Sequence, residues 1–212
     1  MSLATPRIAD ALCSSGCLSF GTFRIRSGAV SPYYIDLARL ISSPRNLRDI
    51  AEVAAREVRN IQAVDRIDKL ASIELKGALI LPSIGCQVDL PCIVVRKEQK
   101  TYGITGRTAG AEVRRGDHIL FFDDVLSDGL SKIEGIRPLE ELGAKVKHLM
   151  VVVDREQKGR ENLQKLGYSI HSLTRISEIV RYLRERGKVT EKQAEAVREY
   201  VQKTNGSGSP TS

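Results

Sequence analysis

Two adjacent carboxylates, Asp123 and Asp124, stand directly behind four apolar residues, Ile119 to Phe122, in the stretch HILFFDDVLSDGLS (118–131). The apolar run reads as a short buried strand. Ser127, Asp128, Gly129, Leu130 and Ser131 follow, mostly small and polar, and a helical pattern opens at about Ser131. This order puts carboxylates and free backbone N–H groups at the carboxyl end of a strand, where open α/β sheets bind their ligands. Loop amides at a helix N-terminus favour an anion. An acidic pair suits sugar hydroxyls or a Mg²⁺ ion. A ligand with both a phosphate and a hydroxylated sugar or metal fits that chemistry. The competing reading is that the aspartates only end the strand and cap the next helix.

A second group is basic. Residues 96–115 hold Arg96, Lys97, Lys100, Arg107, Arg114 and Arg115 against Glu98 and Glu112. That local excess fits one polyanionic ligand near one loop, and a solvated face is the alternative. The histidines, His118, His148 and His171, lie at or near strands and read as structural or exposed. Cys13, Cys17, Cys86 and Cys92 have neither CxxC spacing nor a nearby His cluster. This argues against a zinc site and for reduced thiols in a cytoplasmic protein.

The elements that must position these groups follow from periodicity. A first helix is expected over 3–17, a strand around Phe23–Ile25, turns at Ser27-Gly28 and Ser31-Pro32, and a strand over Tyr33–Leu37. Leu47, Ile50, Val53, Ala54 and Val58 mark an amphipathic helix over Pro44–Asn60. Strands are expected at 69–73, 92–95, 118–122, 146–153 and 170–173. Helices are expected at 78–86, from Ser131 to about Leu142, and at 160–166, 176–186 and 190–203. Pro138 should kink or break the helix it lies in near Glu134–Arg137. Residues 99–115 lack periodicity and carry Gly103, Gly106 and Gly110, with Gly116 directly after, as a lid or binding loop does. Residues 204–212 read as a disordered tail. Strands alternating with helices predict a parallel α/β sheet, and apolar strands predict helices on both of its faces.

With 212 residues the chain reads as one domain. Its net charge of +7 admits nucleic acid, acidic surfaces or small anionic ligands. Aromatics are only 5% and Trp is absent, which leaves few platforms for stacking single-stranded bases. The C-terminal helix pair is at best a weak nucleic-acid candidate. No apolar run approaches the roughly 18 residues of a membrane span, and the N-terminus lacks a signal-peptide pattern. Neither a P-loop nor a GxGxxG motif occurs.

The 118–131 stretch resembles the 5-phosphoribosyl pyrophosphate (PRPP) motif of type I phosphoribosyltransferases. Together with FGTFRIRSGAVSPYYIDLARL (20–40), VVRKEQKTYG (94–103) and VVVDREQKGRENLQKLGYSIHSLTRISEI (151–179), it makes residues 20–203 similar to orotate phosphoribosyltransferases. The resemblance implies a mainly parallel sheet flanked by helices under an N-terminal hood with a β-hairpin. The hood would cover about 1–40, the core about 41–186 and a C-terminal helix about 190–203. It implies transfer of the 5-phosphoribosyl group from PRPP to orotate in pyrimidine biosynthesis, in a homodimer with shared active sites.

The resemblance also implies roles. Asp123 and Asp124 would contact the ribose hydroxyls near the Mg²⁺ carried by PRPP. Ser127, Asp128, Gly129, Leu130 and Ser131 would form the 5′-phosphate loop. Lys76, Arg96, Lys97, Lys100 and Tyr102 would hold the pyrophosphate, with Lys100 serving catalysis in the neighbouring subunit. Arg26, Tyr33, Tyr34, Ser127 and Arg155 would receive orotate. The chain departs from the family pattern at Asp128 and Leu130 in the phosphate loop and at Glu74 before Lys76. These departures put two carboxylates near a polyanion and motivate an alternative, a PRPP- or nucleotide-binding regulator with little or no catalysis.

Overall fold

A computed structural model describes residues 4–25, 28–100 and 106–206, with 99, 100 and 206 described as backbone alone. Among the described residues six strands form the central sheet: β3 (Lys69–Ile73), β4 (Cys92–Lys100), β5 (Gly106–Gly110), β6 (His118–Leu126), β7 (Lys145–Asp154) and β8 (Ser169–Arg175). Their spatial order is β5-β4-β3-β6-β7-β8. All neighbours run parallel except the edge strand β5, which pairs antiparallel with β4. A separate hairpin joins β1 (Leu18–Arg24) to β2 (Val30–Ile35).

Side chains alternate across the sheet, and the alternation sets the site. Leu120 and Phe122 of β6 join one core with Met150 and Val152 of β7. Ile119 and Phe121 join a second core with Leu149 and Val151. The first core packs under α1 (Thr5–Ser14), α2 (Pro44–Gln62), α3 (Lys76–Val88) and α6 (Ile176–Glu185). The second packs under α4 (Leu130–Glu141) and α5 (Gly159–Lys165). Two buried faces explain the continuous apolar runs of β6 and β7. The last helix, α7, spans Glu191–Gly206.

Besides the expected Ser31-Pro32 turn, which lies within β2 with Ser31 paired to Phe23, three local expectations change. First, the 99–115 loop contains a strand. Backbone pairing needs no side-chain periodicity, and Gly110 at φ +91° is required because a Cβ there would meet the Cys92 carbonyl oxygen at 2.4 Å. Second, α4 continues through Pro138 without a break. The proline is buried with Ile136 and Leu139, so packing offsets the lost N–H bond. Third, α7 extends past 203. Thr204 donates its hydroxyl to the Tyr200 carbonyl at 2.9 Å and holds the final turn.

Candidate active site

The carboxyl end of β6, the first turns of α3 and α4, the segment after β7, the hairpin and α7 enclose a cleft of ≈ 800 Å³. On its floor are Asp124, Ser127 and Ser131 from the β6–α4 segment. Lys76 from α3 and Tyr34 from the hairpin form one side, and Arg155, just after β7, forms another. Sequence reasoning had gathered these six from four separate stretches, and they line one space. A smaller hollow of ≈ 420 Å³ between α6 and α7 holds Arg181, Arg184 and Arg198 but none of the expected site residues.

The acidic pair divides. Successive residues of a strand point to opposite faces, so only Asp124 lines the cleft. Asp123 is buried at 4% exposure. Its Oδ1 accepts the Asp124 N–H at 2.8 Å and its Oδ2 lies 2.6 Å from Lys132 Nζ. Gly77 opens α3 against it: a Cβ on Gly77 would come within 2.3 Å of Ser72 Oγ and 2.6 Å of Asp123 Oδ1. Asp124 feels the consequence. Burial first, then the neighbouring Asp123 charge, push its carboxyl up to about 7, against the opposing pull of Lys132 and Lys76.

Lys76 is a fixed cation. Its Nζ lies 3.0 Å from Asp36 Oδ1 and 5.4 Å from the Tyr34 ring centroid. Burial pulls its pKa down, but Asp36 and Asp124 outweigh that and hold it above the ordinary lysine value. Arg155 is held from behind. Its Nε donates to the Tyr33 hydroxyl at 3.0 Å and its Nη2 to Ser31 Oγ at 3.2 Å. Tyr33 is fully buried and does not line the cleft. Burial pushes its phenol up to about 12. Its ring meets that of Tyr200 edge-on at 5.9 Å, and Gln157 donates to the Tyr200 hydroxyl at 3.0 Å.

The two unusual carboxylates have local partners. Asp128 Oδ1 accepts the Leu130 N–H at 3.0 Å, so it occupies an amide of the loop at the α4 N-terminus. Leu130 is 63% exposed at the cleft, and Gly129 takes φ +89° to turn the chain into α4. Glu74 Oε1 accepts the Lys97 N–H at 2.7 Å and ties the loop before α3 to β4. Arg96 donates to the carbonyls of Gly106 and Thr108 on β5. Neither Arg96 nor Lys97 lines this cleft. Arg26, Tyr102 and the Lys100 side chain lie outside the described residues.

Sequence reasoning missed Lys132, Asp36, Gln157 and Tyr200. Only Lys132 left a signal: it stands four residues before Ile136 and seven before Leu139, on the buried face of α4.

A mainly parallel sheet with helices on both faces, an antiparallel hairpin over its carboxyl edge and an acid–lysine cleft beside a short anion loop are the marks of a type I phosphoribosyltransferase. The orotate phosphoribosyltransferase of Pyrococcus abyssi is 37% identical over 168 residues, which cover 79% of this chain and 91% of that protein. The solved structure of Leishmania donovani UMP synthase matches 95% of this chain with a TM-score of 0.85 at 29% identity, and this chain spans 42% of it. The orotate phosphoribosyltransferase structure of Aeropyrum pernix matches 85% of this chain and 98% of its own, with a TM-score of 0.72 at 26% identity. No family model matches the chain. On these likenesses the chain belongs to the orotate phosphoribosyltransferase family.

Proposed function

We propose that the cleft transfers the 5-phosphoribosyl group of PRPP to orotate, releasing pyrophosphate and giving orotidine 5′-monophosphate for pyrimidine biosynthesis. The observation that carries this reading is the fixed Arg155 fork facing a cleft that also holds Asp124, Lys76 and the 127–131 loop. Orotate presents a carboxylate and ring carbonyls, which a guanidinium reads with two donors. Family membership supports the same reaction.

As the C1–O bond to pyrophosphate breaks and a ring nitrogen of orotate, its proton given up to the leaving pyrophosphate or solvent, bonds to C1, positive charge builds on the ribose. Asp124 stands where it can hold the ribose hydroxyls and face that charge. Lys76, kept protonated by Asp36 and Asp124, faces the leaving pyrophosphate. Ser127, Ser131 and the loop amides take the 5′-phosphate. Tyr34 flanks the base. Asp123 serves the same site from behind, by holding the backbone of Asp124.

Mg²⁺ is held by one or two carboxylates plus ligand phosphates. Asp124, at the strand end beside Lys76, is one of the cleft carboxylates with that chemistry, together with Asp128 and Glu134, and the ion would arrive on PRPP and would neutralise the pyrophosphate. The working unit is a homodimer with shared sites, Lys100 and its loop acting in the neighbour. In support, Arg96 and Lys97 of the same strand do not face their own cleft. A reducing, cytoplasmic setting suits four cysteines that are all free. Among the described residues no helix is long and apolar enough to cross a membrane.

The test follows orotate absorbance with protein, PRPP and Mg²⁺, beside a control without Mg²⁺. Loss of orotate that requires both is expected. PRPP binding by calorimetry with no loss of orotate would overturn the reading in favour of a regulator.

A further inference from the structure

Lys132 sits where a cation is doubly disfavoured. It lies in the first turn of α4, whose N-terminus already carries partial positive charge. It is also buried, at 4% exposure, and a buried ammonium persists only when paired. Among the described residues its Nζ meets Asp123 Oδ2 at 2.6 Å and Ser131 Oγ at 3.2 Å. The other oxygen of Asp123 accepts the Asp124 N–H at 2.8 Å. An unbroken polar line therefore runs from Asp124 through Asp123 and Lys132 to Ser131, with both ends in the cleft.

The direction of these bonds matters. An ammonium has donors only, so Ser131 Oγ accepts from Lys132. The single hydroxyl proton of Ser131 is then left for another acceptor, and Ser131 lines the cleft. The same side of the cleft carries the carboxylates of Asp128 and Glu134, which oppose an anionic group. A cation buried directly behind the loop offsets them without blocking the space.

Building on the phosphoribosyl transfer above, we propose that Lys132 is a positioning residue for that reaction. It holds the Ser131 hydroxyl as a donor aimed at the 5′-phosphate, and it ties the phosphate loop to the strand end that carries Asp124. Lys132 does not touch the ligand. It acts through Ser131 and Asp123.

Lys132→Met alone would leave Asp123 as a buried unpaired charge and could fail to fold. The informative variant is the double change Asp123→Asn with Lys132→Met. It is neutral and near-isosteric, and it keeps an acceptor for the Asp124 N–H. Ser131→Ala is made in both the wild-type and the double-variant chains. KM for PRPP, kcat and the calorimetric Kd for PRPP are measured, with melting curves to establish folding.

Expected is a rise of about tenfold in KM and Kd for PRPP in the folded double variant, with a smaller change in kcat, as for the loss of one oriented hydrogen bond to a charged group. Ser131→Ala should weaken PRPP binding in the wild-type chain but add little in the double variant. Equal penalties for Ser131→Ala in both chains, or unchanged PRPP affinity in the folded double variant, would overturn the role of Lys132. Wild-type turnover of orotate is measured first. Its absence removes the reaction itself and this inference with it, whereas turnover with additive penalties removes the inference alone.

Discussion

Arg155 and Tyr33 hold each other twice: the guanidinium donates through Nε to the phenol at 3.0 Å and lies 4.8 Å from the ring centroid. The contact joins the residue after β7 to the hood hairpin, far apart in sequence. It also explains why a tyrosine outside the cleft belongs to the site. Tyr33→Phe keeps the ring and removes the acceptor, so Arg155 gains a rotamer freedom that the wild type denies it. A rise in KM for orotate of roughly three- to tenfold is expected, with a stability loss of about 1 kcal/mol. Steady-state kinetics and a denaturant titration check both; an unchanged orotate KM would leave Tyr33 a packing residue only.

Asp124 trades stability for function. Its carboxyl is raised to about 7 by burial and by Asp123. A raised folded-state pKa contributes stability below the unfolded value near 4, and that contribution is lost as pH rises through 7. Asp124→Asn removes the charge that is costly above pH 7. The variant should lose nearly all turnover yet be more stable at pH 8 by on the order of 1–2 kcal/mol. At pH 4.5 the stability difference should shrink. Thermal melts at the two pH values, beside the orotate assay, give the comparison.

Asp128 competes with the ligand for a loop amide. Its carboxylate accepts the Leu130 N–H and adds negative charge beside the expected phosphate position, a repulsion on the order of 1 kcal/mol. Asp128→Thr removes the charge and offers a hydroxyl donor. PRPP should bind about three- to tenfold more tightly by calorimetry. Weaker binding would mean that the Asp128 turn preforms the loop and is worth more than the repulsion it brings.

Gly77 is fixed by the close approach of α3 to β6. Alanine there would drive a Cβ into Ser72 Oγ and Asp123 Oδ1. Both atoms belong to buried side chains with no room to withdraw. Gly77→Ala should destabilise the protein by about 2–3 kcal/mol, as overpacking does. The drop in denaturation midpoint measures it.

A polar chain at the other end of β7 sets acid sensitivity. His148 bonds Asp65 at 3.1 Å and His171 at 3.0 Å, and His171 bonds Glu57 at 3.3 Å. Lys147 and His148 hold the Asp65 carboxyl well below its ordinary value. Because that folded pKa is depressed, its contribution is present above the unfolded value near 4 and is lost as pH falls toward the folded one. Asp65→Asn should therefore lower the melting temperature clearly at pH 7 and by less near pH 2. A penalty equal at both pH values would show that the hydrogen bonds matter and the charge does not.

Much of this was legible in the sequence for a physical reason. The apolar runs of β6 and β7 are buried on both faces, and α2 repeats its apolar residues at helical spacing, so run length and spacing locate them. β5 was not legible, because Gly106–Gly110 pairs through its backbone and carries no apolar pattern. The different roles of Asp123 and Asp124 were present in the strict alternation of a strand, but adjacency in sequence read as partnership. Lys132 was hidden by its type: lysine on a buried face means little until Asp123 is seen beneath it. The partners of Arg155 and Lys76, namely Ser31, Tyr33 and Asp36, come from another part of the chain, and no local pattern announces them.

The edge-to-face meeting of Tyr33 with Tyr200 has a consequence for synthesis on the ribosome. The hairpin emerges early, but the aromatic ring that backs it arrives only after most of the chain has been made. Until then Tyr33 packs only on the core it shares with Leu18 and Ile35 and lacks the ring that meets it edge-on. Pairings so distant in sequence form late and slowly. A nascent chain halted before Tyr200 would therefore carry a nearly finished sheet whose hairpin lacks its last aromatic support, and full substrate-binding competence would appear as one of the last events of its biogenesis.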